Sequence, residues 1–259
     1  MSLLSTVPSV AAPDIAASDW NQHPFVARLT RYLTLSRDDL DSLRRLVEAE
    51  LTIERRRDLV VDGYEFHKLC FVAEGYGARY KLLRNGKRQI INVILPGDFI
   101  GVPVSFLERA SYSVVAVTDM KMHVCSTDSY IQLCYRRPQF GLALSWLAVH
   151  EAAFYAEHII DTGRRTPAER LAHFLLELHS RLAMVGRADE TGFDLPFSQE
   201  VLGDVLGLSV PHLNRMLSQL RFEGLVSVAS RRVDFPDLPA IQMRAHFQPL
   251  TLTRIPDAD

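Results

Sequence analysis

The spacing of apolar residues changes twice along this 259-residue chain, and the two changes leave few architectures open. From Asp58 to about Thr127 apolar and polar residues alternate in short runs: "DLVVD", "KLCFVAEG", "ARYKLL", "QIINVILPGD", "YSVVAVTD" and "MKMHVC". Most are bounded by Gly, Pro, Asn or Asp, and a period of two is that of a half-buried strand. With no helical stretch between them the strands lack crossovers, so neighbours run antiparallel in a sandwich or roll. "RYKLLRNGKRQIINVI" predicts a hairpin with Asn85-Gly86 in a type I′ turn.

On either side the period is helical. Pro24 to roughly Glu54 reads as polar-faced helix, its second part opened by Ser36 as N-cap with acids in the first turn. After Pro138, Leu142, Trp146, Val149, Ala153, Ala156 and Ile160 step by 4, 3, 4, 3 and 4, the spacing of a coiled-coil seam. A second set, Phe140, Leu144, Leu147 and Phe154, lies on another side. One long helix thus serves two partners, its own β-domain and a second copy of itself; burial inside a single chain is the alternative. Gly163 ends it, and "TPAERLAHFLLELHSRL" starts a new helix with Thr166 as N-cap, Pro167 at N1 and Glu169 at N3, a capping box. "VGRADETGFDLP" reads as a polar loop.

The stretch that follows carries the chemistry. Ser198 caps a short helix with Val201, Leu202, Val205 and Leu206 inward; Gly203 sits where a crossing helix would press, Gly207 makes the turn and Leu208 plugs it. Ser209 caps the next helix, which buries leucines at 213, 217 and 220, and whose Leu213 and Met216 return to the core. This is the spacing of a helix-turn-helix, and "VSVASRRVDF" adds a hairpin with paired arginines at or near its tip, making a winged version. The net charge of −2 gives no global footprint for nucleic acid, but between Ser209 and Val233 four arginines, 215, 221, 231 and 232, face Glu223 alone.

Other classes are poorly served. No apolar run reaches the roughly 18 residues of a membrane span, and "MSLLSTVPSVAAP" lacks the basic start of a signal peptide, so residues 1–22 are expected to form a loose tail. Cys70, Cys125 and Cys134 are too irregular for a disulfide framework or a Cys-x-x-Cys site, and a reducing cytoplasm is the expected compartment. A cupin-like metal enzyme needs converging histidines, whereas the strand region offers His67 and His123 without a His-x-His pair. No catalytic triad context and no Gly-rich phosphate loop is present, so neither an enzyme, a metal nor a cofactor is expected.

From about Pro24 to Phe247 the chain resembles the bacterial Crp/Fnr family of transcription regulators. The carrying stretches are "EGYGARYKLLRNGKRQIINVILPGDFIGV", "RTPAERLAHFLLEL" and "FSQEVLGDVLGLSVPHLNRMLSQLRFEGLV". The resemblance implies an α+β chain: an N-terminal antiparallel β-roll of the cyclic-nucleotide-binding type (23–136), a long dimerisation helix (137–163) and a C-terminal winged helix-turn-helix (164–259). It implies a homodimer on double-stranded DNA, with a palindromic operator whose half-sites lie one helical turn apart. Arg215 is the leading base reader, with Pro211, His212 and Asn214 around it. Ser198, Gln199, Ser209, Ser218, Arg231 and Arg232 complete the expected DNA-contacting set, chiefly through phosphates.

The signal is harder to read. In cyclic-AMP-binding members a Gly-Glu pair holds the ribose and an arginine some ten residues on holds the phosphate. Here Val102 replaces the glutamate, Ala110 or Tyr112 stands in the arginine position, and Arg109 falls early, which argues against ordinary cyclic-AMP binding. No cysteine precedes Cys70, which argues against the family's N-terminal iron-sulfur cluster. His67, Cys70 or His123 as a haem ligand, or a redox-active cysteine, are further alternatives; an unidentified small effector or none is expected instead. A roll module that senses a ligand without touching DNA is the other class, and activation would further require a surface for RNA polymerase that no pattern identifies.

Overall fold

The computed structural model describes residues 20–101, 104–250 and 253–254, so the expectations for the tail up to residue 19 and for Val102 lie outside it. The chain divides into two compact units: Met1–Lys81 with Val93–His150 and Leu252–Asp259, and Leu82–Asn92 with Glu151–Thr251.

The roll is α+β and antiparallel as expected. Its strands are β1 (Ala49–Ile53), β2 (Asp58–Val60), β3 (Lys68–Glu74), β4 (Gly77–Leu82), β5 (Arg88–Ile94), β6 (Phe99–Ile100), β7 (Ser113–Ala116) and β8 (Met120–Ser126). They form two four-stranded sheets in the orders β1-β8-β3-β6 and β2-β7-β4-β5. Strand β3 is buried over Leu69–Ala73, so it has a core on each face. Leu69 and Phe71 point to one, while Cys70 and Val72, on the alternate positions, point to the other.

The core containing Leu69 and Phe71 is made with helices α1 (Pro24–Leu29), α2 (Arg37–Leu46), α3 (Thr127–Arg136) and the first half of α4 (Gln139–Gly163). Trp20, Phe25, Phe71, Phe99 and Tyr130 fill it, the rings of Phe25 and Phe71 centred 4.5 Å apart. Ser36 caps α2, as its sequence predicts, and the structure closes that cap into a capping box with Asp39. Two polar pairs are buried beside this core. Arg28 meets Asp98 at 2.5 Å, and the rings of His23 and His123 approach at 3.0 Å between Nε2 and Nδ1. Because the Phe25 N–H donates to His23 Nδ1, His23 carries its proton on Nε2 and donates to His123. His123 then directs its Nε2 proton toward Glu50, 3.5 Å away.

Four features differ from the sequence expectation. Trp20, inside the tail expected over residues 1–22, is 1% exposed and packed in the core. The first helical region ends at Leu46, and Ala49–Ile53 is strand β1: "AELTI" alternates, and it pairs with β8 from Ala49↔Val124 to Ile53↔Met120. Helix α3 fills the stretch between the strand segment and Pro138, for which the sequence pattern predicts no element, opened by Ser126, whose hydroxyl accepts from Ser129 N. The Asn85-Gly86 turn is not type I′, because that type needs positive φ at both central residues and only Gly86 has it, at 80°. The loop spans three residues instead, closed by Leu83 N donating to Lys87 O.

In the second unit, α5 (Pro167–Ala183) begins with the predicted Thr166–Glu169 capping box. It packs with α6 (Gln199–Leu206), α7 (Val210–Phe222), α8 (Leu238–Arg244) and a sheet in the order β10-β11-β9, formed by β9 (Gly192–Asp194), β10 (Ser227–Ala229) and β11 (Arg232–Asp234). Strand β9 lies inside the segment expected to be a loop; its three residues are too few to show a period. His158 from α4 donates to buried Glu177 at 2.7 Å, and Arg181 meets the same carboxylate at 2.9 Å. The second ring nitrogen of His158 lies 3.2 Å from Ile91 O, so both its nitrogens face acceptors and its pKa is raised.

Candidate nucleic-acid interface

The candidate interface is built around two short helices and the turn between them. Ser198 occupies the N-cap of α6 and its hydroxyl accepts from Val201 N. Leu202 and Leu206 are buried, while Val201 and Val205 are half-buried at the edge. Gly207 ends the helix in the left-handed region at φ 65°. Leu208 N then donates back to Gly203 O at 2.9 Å, while Arg170 of α5 donates to Leu206 O at 2.6 Å, so the carbonyl end of α6 is satisfied from two directions.

Ser209 stands at the N-cap of α7 with extended backbone, but its hydroxyl makes no capping hydrogen bond, a departure from the expected cap. Pro211 in the first turn needs no donor partner. Leu213, Leu217 and Leu220 form the buried stripe, and Met216 is half-buried rather than part of the core. The opposite face carries Pro211, Asn214, Arg215, Ser218 and Gln219, all exposed, with His212 half-buried beside them. Asn214 Nδ2 donates to Gln199 Oε1 at 3.1 Å, joining α7 to the first residue of α6.

The four arginines of the basic window differ in their engagement. Arg215 has no ion-pair or hydrogen-bond partner among the described residues. Arg221 reaches Val228 O at 3.5 Å, and Arg231, at the hairpin tip with φ 70°, donates to Pro196 O at 3.1 Å. Arg232 is held by two carboxylates, Asp189 and Asp234, each at 2.7 Å. Asp189 is itself fixed by the Thr191 backbone and hydroxyl, Arg232 and Gly192, which hold its carboxyl well below the usual range. Both acids lie outside the window in which the local charge was counted, so the basic character is narrower than composition implies: Arg215, Arg221 and Arg231, none held by a carboxylate among the described residues, carry it.

On α4 the six seam positions are mostly solvent-facing. Leu142, Val149 and Ile160 are 51%, 60% and 45% exposed, Ala156 is exposed and Ala153 half-buried. Trp146 is half-buried, its indole N–H donating to Thr253 O at 2.6 Å. Ile159, 71% exposed, extends the apolar surface and falls outside the heptad spacing. The second set, Phe140, Leu147 and Phe154, is buried and Leu144 partly so.

The roll does not gather the alternative cofactor ligands. His67 is exposed with Glu65 3.7 Å away. Cys70 and His123 sit on neighbouring strands with side chains on opposite faces, because His123 is in register with Phe71. Among the described residues no group of three or more His, Cys, Asp or Glu is placed to hold a metal ion. Burial pushes the Cys70 thiol up to about 12 and raises Cys125 and Cys134 as well, the reverse of what a reactive thiol requires. Ala110 and Tyr112 are both buried. The guanidinium beside Tyr112 is Arg79 of β4, only 2% exposed, which donates to Phe99 O at 3.2 Å and lies 5.8 Å from the Tyr112 ring centre. Sequence spacing missed it because it precedes, rather than follows, the "GDFIG" stretch.

Residues 50–137 match the cyclic nucleotide-binding domain family, and residues 169–244 match the Crp-like helix-turn-helix domain family. The nitrogen fixation regulation protein FixK of Bradyrhizobium diazoefficiens is 30% identical over 174 residues, covering 67% of this chain and 72% of that protein. The transcriptional activator protein FnrL of Cereibacter sphaeroides is 28% identical over 171 residues, covering 64% and 68%. Among solved structures, FixK2 from Bradyrhizobium japonicum superposes with a TM-score of 0.68 at 26% identity, over 75% of this chain and 96% of that one. With a roll of the cyclic-nucleotide-binding type and an α6–α7 reader matching these relatives, the chain belongs to the Crp/Fnr family of transcription regulators and carries that family's DNA-binding helix-turn-helix.

Proposed function

We propose that the protein is a homodimer that recognises a palindromic operator, with α7 in the major groove and the β10–β11 wing on the flanking backbone. In this reading residues 23–136 are the sensing roll, 137–163 the dimerisation helix and 164–259 the reader. The observation that carries it is the outward face of α7, where Arg215 stands free of any carboxylate among the described residues. A guanidinium without an internal partner retains its full capacity for a bidentate bond to guanine O6 and N7. Pro211, His212, Asn214 and Ser218 share that face, and Arg231 at the wing tip supplies a phosphate contact. Arg232, held by Asp189 and Asp234, shapes the wing and adds little net charge toward DNA.

Dimerisation through Leu142, Trp146, Val149, Ala153, Ala156 and Ile160 brings two recognition helices to one side, and two-fold symmetry makes the operator palindromic. The roll works with a signal other than ordinary cyclic-AMP binding, or with none. The buried cation beside Tyr112, Arg79, comes from β4, and neither Ala110 nor Tyr112 supplies a positive charge. Selection of bound sites from a random DNA pool at near-physiological salt, with no ligand added, tests the reading. A recovered palindrome with half-site centres about 34 Å apart is expected; unrelated sequences, with or without cell extract, would overturn it.

A further inference from the structure

One side-chain hydrogen bond, from Asn214 of α7 to Gln199 of α6, joins the two helices of the helix-turn-helix. We propose that Gln199 is a positioning residue that orients the Asn214 amide to read an adenine in the half-site containing the guanine recognised by Arg215. The inference rests on the reading of α7 as the major-groove helix.

A surface asparagine samples several rotamers and both orientations of its amide, so by itself it discriminates weakly between base edges. Here Asn214 Nδ2 donates to Gln199 Oε1 at 3.1 Å, although the two residues are 15 positions apart and both exposed. Gln199 is the first residue of α6, next to the N-cap Ser198, and so belongs to a regular element. One amide proton of Asn214 is thereby spent, leaving its carbonyl oxygen and its second N–H: one acceptor and one donor. Adenine presents the complement in the major groove, the N6 amino group and the N7 acceptor, whereas guanine presents two acceptors. Arg215 next to it has donors only and suits guanine, so two adjacent residues carry different base preferences. The Gln199 amide nitrogen remains available to donate to phosphate, which favours this arrangement over the reverse, where its oxygen would face the backbone.

Gln199→Glu and Gln199→Ala separate orientation from phosphate contact. Glutamate keeps the acceptor for Asn214 and loses the phosphate donor, whereas alanine loses both. Base preference at every half-site position is measured by competition with single-substituted operators. The wild type is expected to prefer adenine about tenfold at one position, the size of one good base contact. Gln199→Glu is expected to retain that preference while weakening all sequences, and Gln199→Ala to reduce it below about threefold. Asn214→Ala should abolish it while leaving the guanine preference intact. Retention of the adenine preference in Gln199→Ala, or its equal loss in both Gln199 variants, would overturn the proposal while leaving α7 as the reader. Loss of all base preference in the wild type would overturn both.

Discussion

The backbone of Gly203 lies so close to Leu208 that a Cβ at position 203 would come within 2.6 Å of the Leu208 carbonyl oxygen. That oxygen belongs to the turn, which cannot retreat without moving α7 relative to α6. Gly203→Ala is therefore expected to cost about 1–3 kcal/mol in the stability of the second unit, through forced backbone displacement, and to weaken DNA binding in step. Denaturant unfolding followed by helix content is the check; an unchanged midpoint would show that the turn yields freely.

The wing separates two arginines that composition treats alike. Arg231→Ala should lower affinity for all DNA sequences similarly and reduce the salt slope by about 1, as removal of one phosphate contact does. Arg232→Ala should leave the salt slope nearly unchanged, because its charge is already compensated by Asp189 and Asp234. Binding titrations at several salt concentrations distinguish the two, and an equal loss of slope would mean that Arg232 exchanges its carboxylates for phosphate.

The exposed seam of α4 predicts a dimer sensitive to charge. Val149→Asp should yield monomers by light scattering, since burying a carboxylate against an apolar partner face is costly unless it is paired. Val149 avoids the ambiguity of Trp146, whose indole also bonds Thr253 O. A dimer that survives Val149→Asp would place the interface elsewhere.

Acid should loosen the first unit through its paired histidines. Burial, with His123 beside it, lowers His23 from 6.5 to about 3, and burial lowers His123 as well. Their neutral forms are favoured in the folded chain, so this stability is fully present above about pH 6.5 and is lost as pH falls toward 3. One such group contributes a slope of up to about 1.4 kcal/mol per pH unit. His158 is shifted the other way, so its contribution is lost as pH rises above 6.5. Between pH 6 and 5 the histidine pair governs. Unfolding followed by tryptophan fluorescence should show a loss of about 1 kcal/mol or more over that interval. His23→Ser, which keeps an acceptor for Phe25 N, should flatten the slope; an unaltered slope would contradict this assignment.

Much of this architecture was legible because its signals are local. The N-cap at Ser36, the capping box at Thr166, the glycine turn at Gly207 and the stripe of Leu213, Leu217 and Leu220 depend on residues within one or two helical turns. The elements that escaped are short or depend on distant partners. Strand β9 is three residues, defined by pairing with β11, and β1 follows a helix without a breaker and is held by β8. In the reader, the outward face of α7 followed from its period. The engagement of Arg232 did not, because Asp189 is 43 residues away. The Gln199–Asn214 bond has the same origin, since it depends on how tightly two helices cross.

The central claim is that α7 reads sequence through Arg215, and the most direct measurement compares two affinities. Wild type and Arg215→Ala are titrated against the selected operator and against the same DNA with both half-sites scrambled. Arg215→Ala is expected to lose about 1–3 kcal/mol on the operator and much less on scrambled DNA, with discrimination blurred at one base pair of each half-site. Equal losses on both would contradict the account and reduce Arg215 to a phosphate contact.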